Sequence, residues 1–167
     1  MIVDVSHLSD PGLAHVTGIA RRPFIASHSS CRALHDHPRN LPDVALRAIA
    51  RAGGFVGINA LGGFLAPVAT VDDFVRHVAH AVEMAGADHV GLGMDFVEDL
   101  FVVVDPVLGG VLLPADLPTV VGLQRPADLA ALGPRLVAGL GEATARAVAA
   151  GTMIDRLADL LPATPRR

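Results

Sequence analysis

The stretch that decides the fold is "IVDVSHLSD", residues 2–10, in which a short apolar run leads directly into His7 and further polar residues. A second stretch, "PFIASHSS" at residues 23–30, repeats this arrangement and ends around His28. Short runs rich in β-branched and aromatic residues are typical of buried strands. The sequence therefore predicts two strands that each end on Ser-His, and the question is what the two histidines share.

Two more apolar runs complete a set of four predicted strands. They span residues 2–6, 24–27, 55–59 and 90–94. None alternates cleanly between apolar and polar residues, which is typical of strands that are covered on both faces, as in a parallel sheet. Helical patterns lie between the strands, at residues 10–20, 42–52 and 70–86. This alternation predicts an α/β fold with right-handed crossovers.

The third helical pattern has the clearest ends. Thr70 followed by Asp73 is a capping signature, and Gly86 stands where a helix would stop. Beyond Met94, residues 97–118 mix valines with glycines and prolines and predict a long irregular loop. Three further helices are predicted at residues 129–140, 142–150 and 154–161.

Composition excludes several classes of protein. The 167 residues suit one domain, and 51% of them are hydrophobic, which is enough for a core. The net charge is −4 and no basic cluster suggests nucleic acid, while the longest apolar runs are too short to span a membrane. No N-terminal leader pattern is visible, and Cys31 is alone, so we predict a cytoplasmic protein without disulfides.

Polar residues stand where α/β folds place their sites. His7, His28, Asn59 and Asp95 each lie at or just past the end of a predicted strand, and sites gather at the carboxyl ends of parallel strands. Neutral imidazole is a good zinc ligand, so two histidines from adjacent strands could hold one metal ion. Each could equally be a hydrogen-bonded or exposed residue, and spacing alone leaves both readings open.

Weaker signals accompany this set. The "HDH" at residues 35–37 is interpreted as a solvated loop, and His77 and His80, one helical turn apart, as structural residues. Arg39 follows Pro38 near a strand end; it is either a surface residue or a group suited to binding a carboxylate.

Several segments together resemble the membrane dipeptidase (renal dipeptidase) family of zinc metallopeptidases. They are "IVDVSHLS", "PFIASHSSCRALHDHPRNLPD", "LRAIARAGGFVGIN", "DDFVRHVAHAVEMAGADHVGLGMDF" and, more loosely, "GEATARAVAAGTMIDRL". They run in the family's order and cover most of the chain. The resemblance implies a TIM-like (β/α)8 barrel with two zinc ions at the carboxyl ends of the strands, and hydrolysis of dipeptides by water that the metals activate.

The resemblance also assigns roles to residues. His7 and His28 match the two histidines of the second zinc, Arg39 matches the arginine that binds the terminal carboxylate of the substrate, and Asp95 matches the aspartate that shuttles protons. Asn59, at the third strand end, is predicted to bind substrate with Arg39.

The chain departs from the family pattern in ways that bear on activity. The family's first strand carries a His-x-Asp pair for the first zinc, and a bridging glutamate follows, but no His-x-Asp occurs in this sequence. After Asp95 the family continues Phe-Asp-Gly, whereas Val97 and Glu98 follow Phe96 here, and the family's later Gly-Asn is Gly151-Thr152. The chain is thus predicted to supply ligands for one zinc of two.

By this resemblance, the chain corresponds to the last four strand–helix units of the family's barrel. They are predicted to form a partial barrel within a single domain of residues 1–167. Residues 1–96 are predicted to form the barrel units, 97–125 a long loop and 126–167 a helical tail. A half-barrel leaves open strand edges, so we expect a homodimer or a missing N-terminal half as partner. Two other functions stay open: an amidohydrolase-like enzyme acting on another small amide, and a non-catalytic binding or assembly module.

Overall fold

The structure of the chain is a computed structural model that describes residues 1–96, 107 and 119–161. Its strands are β1 (Val3–Asp4), β2 (Phe24–Ile25), β3 (Val56–Ile58) and β4 (Val90–Leu92). β1 pairs with β2 and β3 pairs with β4, both in parallel. A parallel bridge between Ala26 and Val56 connects β2 to β3. The four strands therefore lie side by side in chain order, with their carboxyl ends at one edge.

All four strands fall inside the predicted runs but are shorter, and the backbone is closely packed just beyond the end of β2. The Ser27 carbonyl oxygen occupies the space that a Cβ atom would need at both Gly57 and Gly93. A side chain at either glycine would therefore push the backbone after β2 away from β3 and β4. This close approach brings the carboxyl ends of three strands together.

A helix follows each of the first three strands, as predicted. These are α1 (Asp10–Ile19), α2 (Asp43–Arg51) and α3 (Val71–Ala85). The capping box is present: Thr70 and Asp73 each bind the backbone N–H of the other with their side chains, and α3 ends at Gly86, whose φ of 87° suits glycine. The predicted helix signals are thus confirmed at both ends of α3.

The C-terminal region contains α4 (Leu129–Leu140), α5 (Glu142–Arg146) and α6 (Thr152–Leu160). The bounds of α4 are those predicted. A π-helical turn, Ala147–Gly151, joins α5 to α6, whereas the sequence suggested two separate helices with a break near Gly151. The helix continues because Gly151 keeps helical dihedral angles, with φ −59° and ψ −57°, and the Thr152 hydroxyl donates to the Ala87 carbonyl at 2.8 Å.

The segment predicted as a long loop ends in ordered structure. Thr119 forms an antiparallel bridge with Leu61, and Val120 and Leu123 are fully buried. Val120 and Leu123 therefore belong to the core cluster, whereas Val121 between them is exposed. Residues 97–106 and 108–118, which make up most of that predicted loop, lie outside the described residues.

One apolar cluster holds these elements together, and it leaves β1 less covered than β4. Leu46, Phe74 and Leu132 bring α2, α3 and α4 into the cluster, and each such side chain stabilises the fold by about 1.5–3 kcal/mol when buried. Met153 in α6 lies 3.8 Å from the Cβ position at Gly91 in β4. In contrast, 48% of Val3 in β1 is exposed.

In the part of the chain that the structure describes, no helix has the length and apolar character needed to cross a membrane.

Candidate site at the carboxyl ends of the strands

The candidate residues that follow the strands come to one edge of the sheet. His7 lies beyond β1, His28 beyond β2, Asn59 directly after β3 and Asp95 beyond β4. Because all four strands run in parallel, these residues leave the sheet on the same side. The polar residues that follow the predicted strands in the sequence therefore lie at the same edge of the sheet in the structure.

The two histidines converge, as predicted. Their Nε2 atoms are 2.8 Å apart and form a hydrogen bond, and the ring planes are inclined by 60°. Two nitrogens bound to one tetrahedral zinc stand about 3.3 Å apart, given bonds of about 2.0 Å, so a small rotation of either ring would admit the ion. The pair fits one part of a zinc site.

The pair does not make a whole site. Zinc takes three or more protein ligands in most sites, and the structure contains no group of three or more His, Cys, Asp or Glu that could hold a metal within residues 1–96, 107 and 119–161. Further ligands must come from elsewhere if His7 and His28 bind zinc.

Sequence reasoning missed Asp4, which ties the two strands together. Its Oδ1 accepts the backbone N–H groups of Ser6 and Ser27, both at 3.0 Å, and its Oδ2 accepts the Ser27 hydroxyl. Burial would raise the pKa of Asp4, but the hydrogen bonds from Ser27 and Ser6 outweigh it and lower the pKa below its usual value. The signal was present in the sequence as an aspartate near the end of a predicted strand, but its partner across the strands could not be read from spacing.

The serines before the histidines explain the repeated Ser-His pattern. Ser27 Oγ lies 2.7 Å from Nδ1 of His28. Ser6 Oγ accepts the backbone N–H of His28 at 3.1 Å and lies 3.3 Å from Ser29 Oγ. Each serine therefore links one strand end to the other, and together they fix the turn that carries His28.

His7 and Asp95 share an unusual backbone conformation. They are the non-glycine residues with positive φ among those described, at 72° and 56°. The left-handed region costs an L-residue about 1–2 kcal/mol, although His and Asp enter it more readily than most residues. Such backbone strain concentrates at functional sites, and here it coincides with two candidate site residues.

Asn59 holds Asp95 in place. Its fully buried amide donates to Oδ2 of Asp95 at 3.0 Å and accepts the Leu61 N–H at 2.6 Å. The side chain is thus engaged with protein partners at both ends. Its assignment to substrate binding stays a prediction, and the structure shows instead a contact that orients the Asp95 carboxylate.

Arg39 is half-buried beside this group. Its guanidinium carbon lies 5.6 Å from the centre of the Phe64 ring, and it forms no salt bridge with another described residue. Burial lowers the pKa of Arg39, and the negative charges of Asp95 and Asp4 oppose that shift. Arginine stays protonated under all ordinary conditions, so the site contains a cation that can bind a carboxylate by donating hydrogen bonds to it.

The loop that carries Arg39 is anchored by the next residue. The buried Asn40 donates its amide to the carbonyl groups of His35 at 2.9 Å and Phe64 at 2.7 Å. His37 packs against the Phe64 ring, with 4.8 Å between ring centres. These contacts fix the position of Arg39 relative to the aromatic ring.

The electrostatics of His7 connect the site residues. Desolvation lowers the pKa of His7, and the positive charges of Arg39 and His28 lower it further, while Asp95 and Asp4 act in the opposite direction. The neutral imidazole, which is the form that binds metal, is therefore favoured.

Another histidine, His77, has a different role. Its Nδ1 accepts the Cys31 N–H and its Nε2 lies 3.0 Å from the Leu65 carbonyl, to which it donates. Burial lowers the pKa of His77 to about 4 and raises that of the Cys31 thiol to about 12. The interpretation of His77 as structural is confirmed, and Cys31 is an inert core residue.

The fold and the site define an α/β protein with a polar centre at the carboxyl ends of parallel strands. A family profile described as "Membrane dipeptidase (Peptidase family M19)" matches residues 1–105. The chain therefore belongs to the membrane dipeptidase family. A curated protein of Klebsiella pneumoniae, described as an uncharacterized protein in the pqqA 5' region, is 37% identical over 134 residues, which are 75% of this chain and 44% of that protein.

Solved structures agree with this assignment. A metallo peptidase from Rhodobacter sphaeroides, liganded with a phosphinate mimic of the dipeptide L-Ala-D-Ala, has a TM-score of 0.73 and 28% identity over 93% of this chain and 41% of its own. An amidohydrolase from Pseudomonas aeruginosa has a TM-score of 0.81 and 25% identity over 96% of this chain and 52% of its own. The chain thus spans about half the length of these proteins, which fits the C-terminal half indicated by its motifs.

Proposed function

We propose that this chain is the C-terminal half of a (β/α)8-barrel metallodipeptidase and takes part in zinc-dependent hydrolysis of dipeptides. The observation that carries the proposal is the convergence of His7 and His28, whose Nε2 atoms are 2.8 Å apart, beside the Asp95 carboxylate and the Arg39 guanidinium at one edge of a parallel sheet. The dipeptide mimic bound by the Rhodobacter sphaeroides relative supports the substrate class.

His7 and His28 would bind one zinc ion through their Nε2 atoms. When bound, zinc would polarise the peptide carbonyl and lower the pKa of water, so that a hydroxide nucleophile is available at neutral pH. The chain's own contribution is to hold the two rings facing each other and to favour the neutral form of His7, whose pKa is lowered.

Asp95 and Arg39 would act on the substrate. Asp95, oriented by Asn59, would carry a proton at its carboxylate to the leaving amine. Arg39 would bind the terminal carboxylate of the dipeptide through its planar fork, because a guanidinium pairs with both carboxylate oxygens.

The remaining metal ligands would come from an N-terminal half, which includes a His-x-Asp pair and a bridging glutamate. That half would pair with the open edge of β1, where Val3 is 48% exposed and no described strand lies beside it. The single buried Cys31 supports a cytoplasmic location.

The test of activity compares the chain alone with the chain mixed with the N-terminal half of a family member. Both are assayed with saturating zinc against a panel of dipeptides, with His28→Ala as the matched control. We expect negligible turnover from the chain alone and at least about 1 per second from the mixture. Turnover by the chain alone that is lost in His28→Ala would contradict the split arrangement.

The test of assembly uses light scattering on the same samples. We expect the N-terminal half to form a 1:1 complex with the 17.2 kDa chain. A stable homodimer, or a monodisperse monomer that ignores the N-terminal half, would overturn the proposed partner. A Val3→Lys variant should weaken the complex because it places a charge on the pairing edge.

An amidohydrolase acting on another small amide is the second candidate, favoured by the likeness to the Pseudomonas aeruginosa structure. Comparing dipeptides that have a free or an amidated C-terminus separates the two, because only a dipeptidase that uses Arg39 should require the free carboxylate. A non-catalytic binding module would bind zinc and dipeptide in the complex without any turnover.

A further inference from the structure

We infer that Asp4 is a positioning residue that fixes the tautomer of His28 through the Ser27 hydroxyl, leaving the His28 Nε2 lone pair directed at His7. The inference rests on counting the protons available to three groups that contact one another in a row. Its consequence for zinc rests on the proposed function, but the tautomer itself can be tested without metal.

The first step is the Asp4 carboxylate. An ionised carboxylate only accepts hydrogen bonds. Oδ1 of Asp4 already accepts two backbone N–H groups, from Ser6 and Ser27, and Oδ2 contacts the Ser27 hydroxyl. The proton in the contact between Asp4 and Ser27 must therefore belong to the serine.

The second step is the Ser27 hydroxyl, which has one proton. Because that proton points at Asp4, Ser27 Oγ can only accept in its 2.7 Å contact with Nδ1 of His28. The proton in this second contact therefore lies on Nδ1. A neutral His28 then has no proton on Nε2, and its lone pair faces Nε2 of His7 at 2.8 Å.

The two histidines are thus not equivalent. His28 is held in the Nδ1–H tautomer, which is the form that a ligand through Nε2 needs. His7 must place a proton on Nε2 to form the hydrogen bond between the rings, so it has to change tautomer or lose that proton before binding a metal. Partners of this kind fix ring orientation and raise the basicity of metal-binding histidines.

An Asp4→Asn substitution should invert the arrangement. The two backbone N–H groups at Oδ1 keep the amide oxygen of the new side chain in place, so its NH2 group must face Ser27 Oγ. Ser27 then accepts from residue 4 and turns its own proton to Nδ1 of His28. The His28 proton moves to Nε2, where it blocks the nitrogen that faces His7.

The experiment is a long-range 1H–15N correlation spectrum of the full chain with 15N-labelled histidine. It is recorded at about pH 8.5, two units above the ordinary imidazole pKa, and His28 is identified by the loss of its signals in His28→Gln. We expect Nδ1–H in the wild type and Nε2–H in Asp4→Asn. Ser27→Ala, which lacks the linking hydroxyl, should populate both tautomers.

Ser6→Ala is the matched control, because Ser6 bonds the backbone of His28 and not its ring. It should leave the tautomer unchanged. Nε2–H in the wild type, or Nδ1–H retained in Asp4→Asn, would overturn the inference.

Zinc titration followed in the same spectra separates this inference from the proposed function. We expect Asp4→Asn to weaken zinc binding by about 10- to 100-fold, the range for such partners. Inversion of the tautomer in a chain that shows no zinc binding at His7 or His28, even when the N-terminal half is present, would support the positioning role and defeat the metal role.

Discussion

His77 and the pair of His7 and His28 use the same side chain in opposite ways. His77 is 1% exposed, and both of its ring nitrogens bind backbone groups of Cys31 and Leu65. His7 and His28 bind each other at the edge of the sheet.

The difference lies in which groups the imidazole nitrogens bind. Releasing His77 from its partners would leave buried backbone groups without hydrogen bonds, which costs stability. Releasing His7 from His28 exposes two nitrogens to water or to a metal at little cost. A histidine is therefore structural when its partners are buried backbone groups. It is available for chemistry when its partner is a side chain that water or a metal ion can replace.

The largest effect should come from removing the buried ring. We expect His77→Ala to lower the free energy of unfolding by about 4 kcal/mol, since it leaves a cavity and an unpaired Cys31 N–H. His28→Ala should cost less than about 1 kcal/mol. Urea unfolding followed by circular dichroism measures both.

His80→Ala is the control for this comparison. His80 lies one turn from His77 on α3 and binds Asp43 at 2.8 Å, a partly exposed contact that is worth at most about 1 kcal/mol. A loss in His28→Ala as large as that in His77→Ala would remove the distinction between the two kinds of histidine.

The same comparison predicts a pH dependence. The pKa of His77 is about 4 in the folded chain, below the ordinary imidazole pKa of about 6.5, so the unfolded chain takes up the proton first as the pH falls. The stability that neutral His77 contributes is fully present above the pKa of its imidazole in the unfolded chain. It is lost as the pH falls toward the lower pKa of the folded chain. We expect His77 to account for a loss of about 2–3 kcal/mol between about pH 7 and pH 4.5.

Urea midpoints at both pH values, compared with a His77→Gln variant, isolate this contribution. The variant cannot titrate at that position and should show a correspondingly flatter dependence on pH. Parallel pH profiles for the two proteins would show that His77 is not the group responsible.

At the functional end, Arg39→Lys should act on substrate and not on stability. Lysine keeps the charge but loses the fork that holds two carboxylate oxygens. In the enzyme assembled with an N-terminal half, we expect a loss of about 1.5–3 kcal/mol in transition-state binding, measured as kcat/KM. An equal loss with a C-terminally amidated substrate would show that Arg39 does not bind the carboxylate.

The smallest expected effect concerns the strained backbone at Asp95. Asp95→Gly and Asp95→Ala both remove the carboxylate, but only glycine accepts a φ of 56° without penalty. We expect the glycine variant to be more stable by about 1 kcal/mol. Thermal unfolding of the two variants measures this difference, and equal stability would mean that the backbone at this position relaxes.

Much of the fold could be predicted from local patterns. The capping pair of Thr70 and Asp73 and the stop at Gly86 gave the ends of α3, because caps are local interactions between residues close in sequence. The helix predicted at residues 129–140 has the bounds observed for α4. The strand-end positions of His7 and His28, taken together with the family resemblance, predicted that the two side chains meet.

Other features depended on contacts between distant residues. The π-helical turn at Ala147–Gly151 and the burial of Val120 and Leu123 follow from packing that no local pattern reveals. The link from Asp4 to His28 joins residues on different strands, and parallel strands are paired through long connections that fix no register in sequence.

The sequence by itself determined the α/β pattern, the family and the residue types available at the strand ends, since these follow from periodicity and motifs along the chain. The tertiary structure alone decided which groups the nitrogens of each histidine bind: backbone groups of Cys31 and Leu65 for His77, and each other's ring for His7 and His28. It also decided that Asp4 and Ser27 set the proton of His28. The physical reason is that the role of a ring nitrogen is fixed by the partner within hydrogen-bonding distance, and most of those partners here are distant in the sequence.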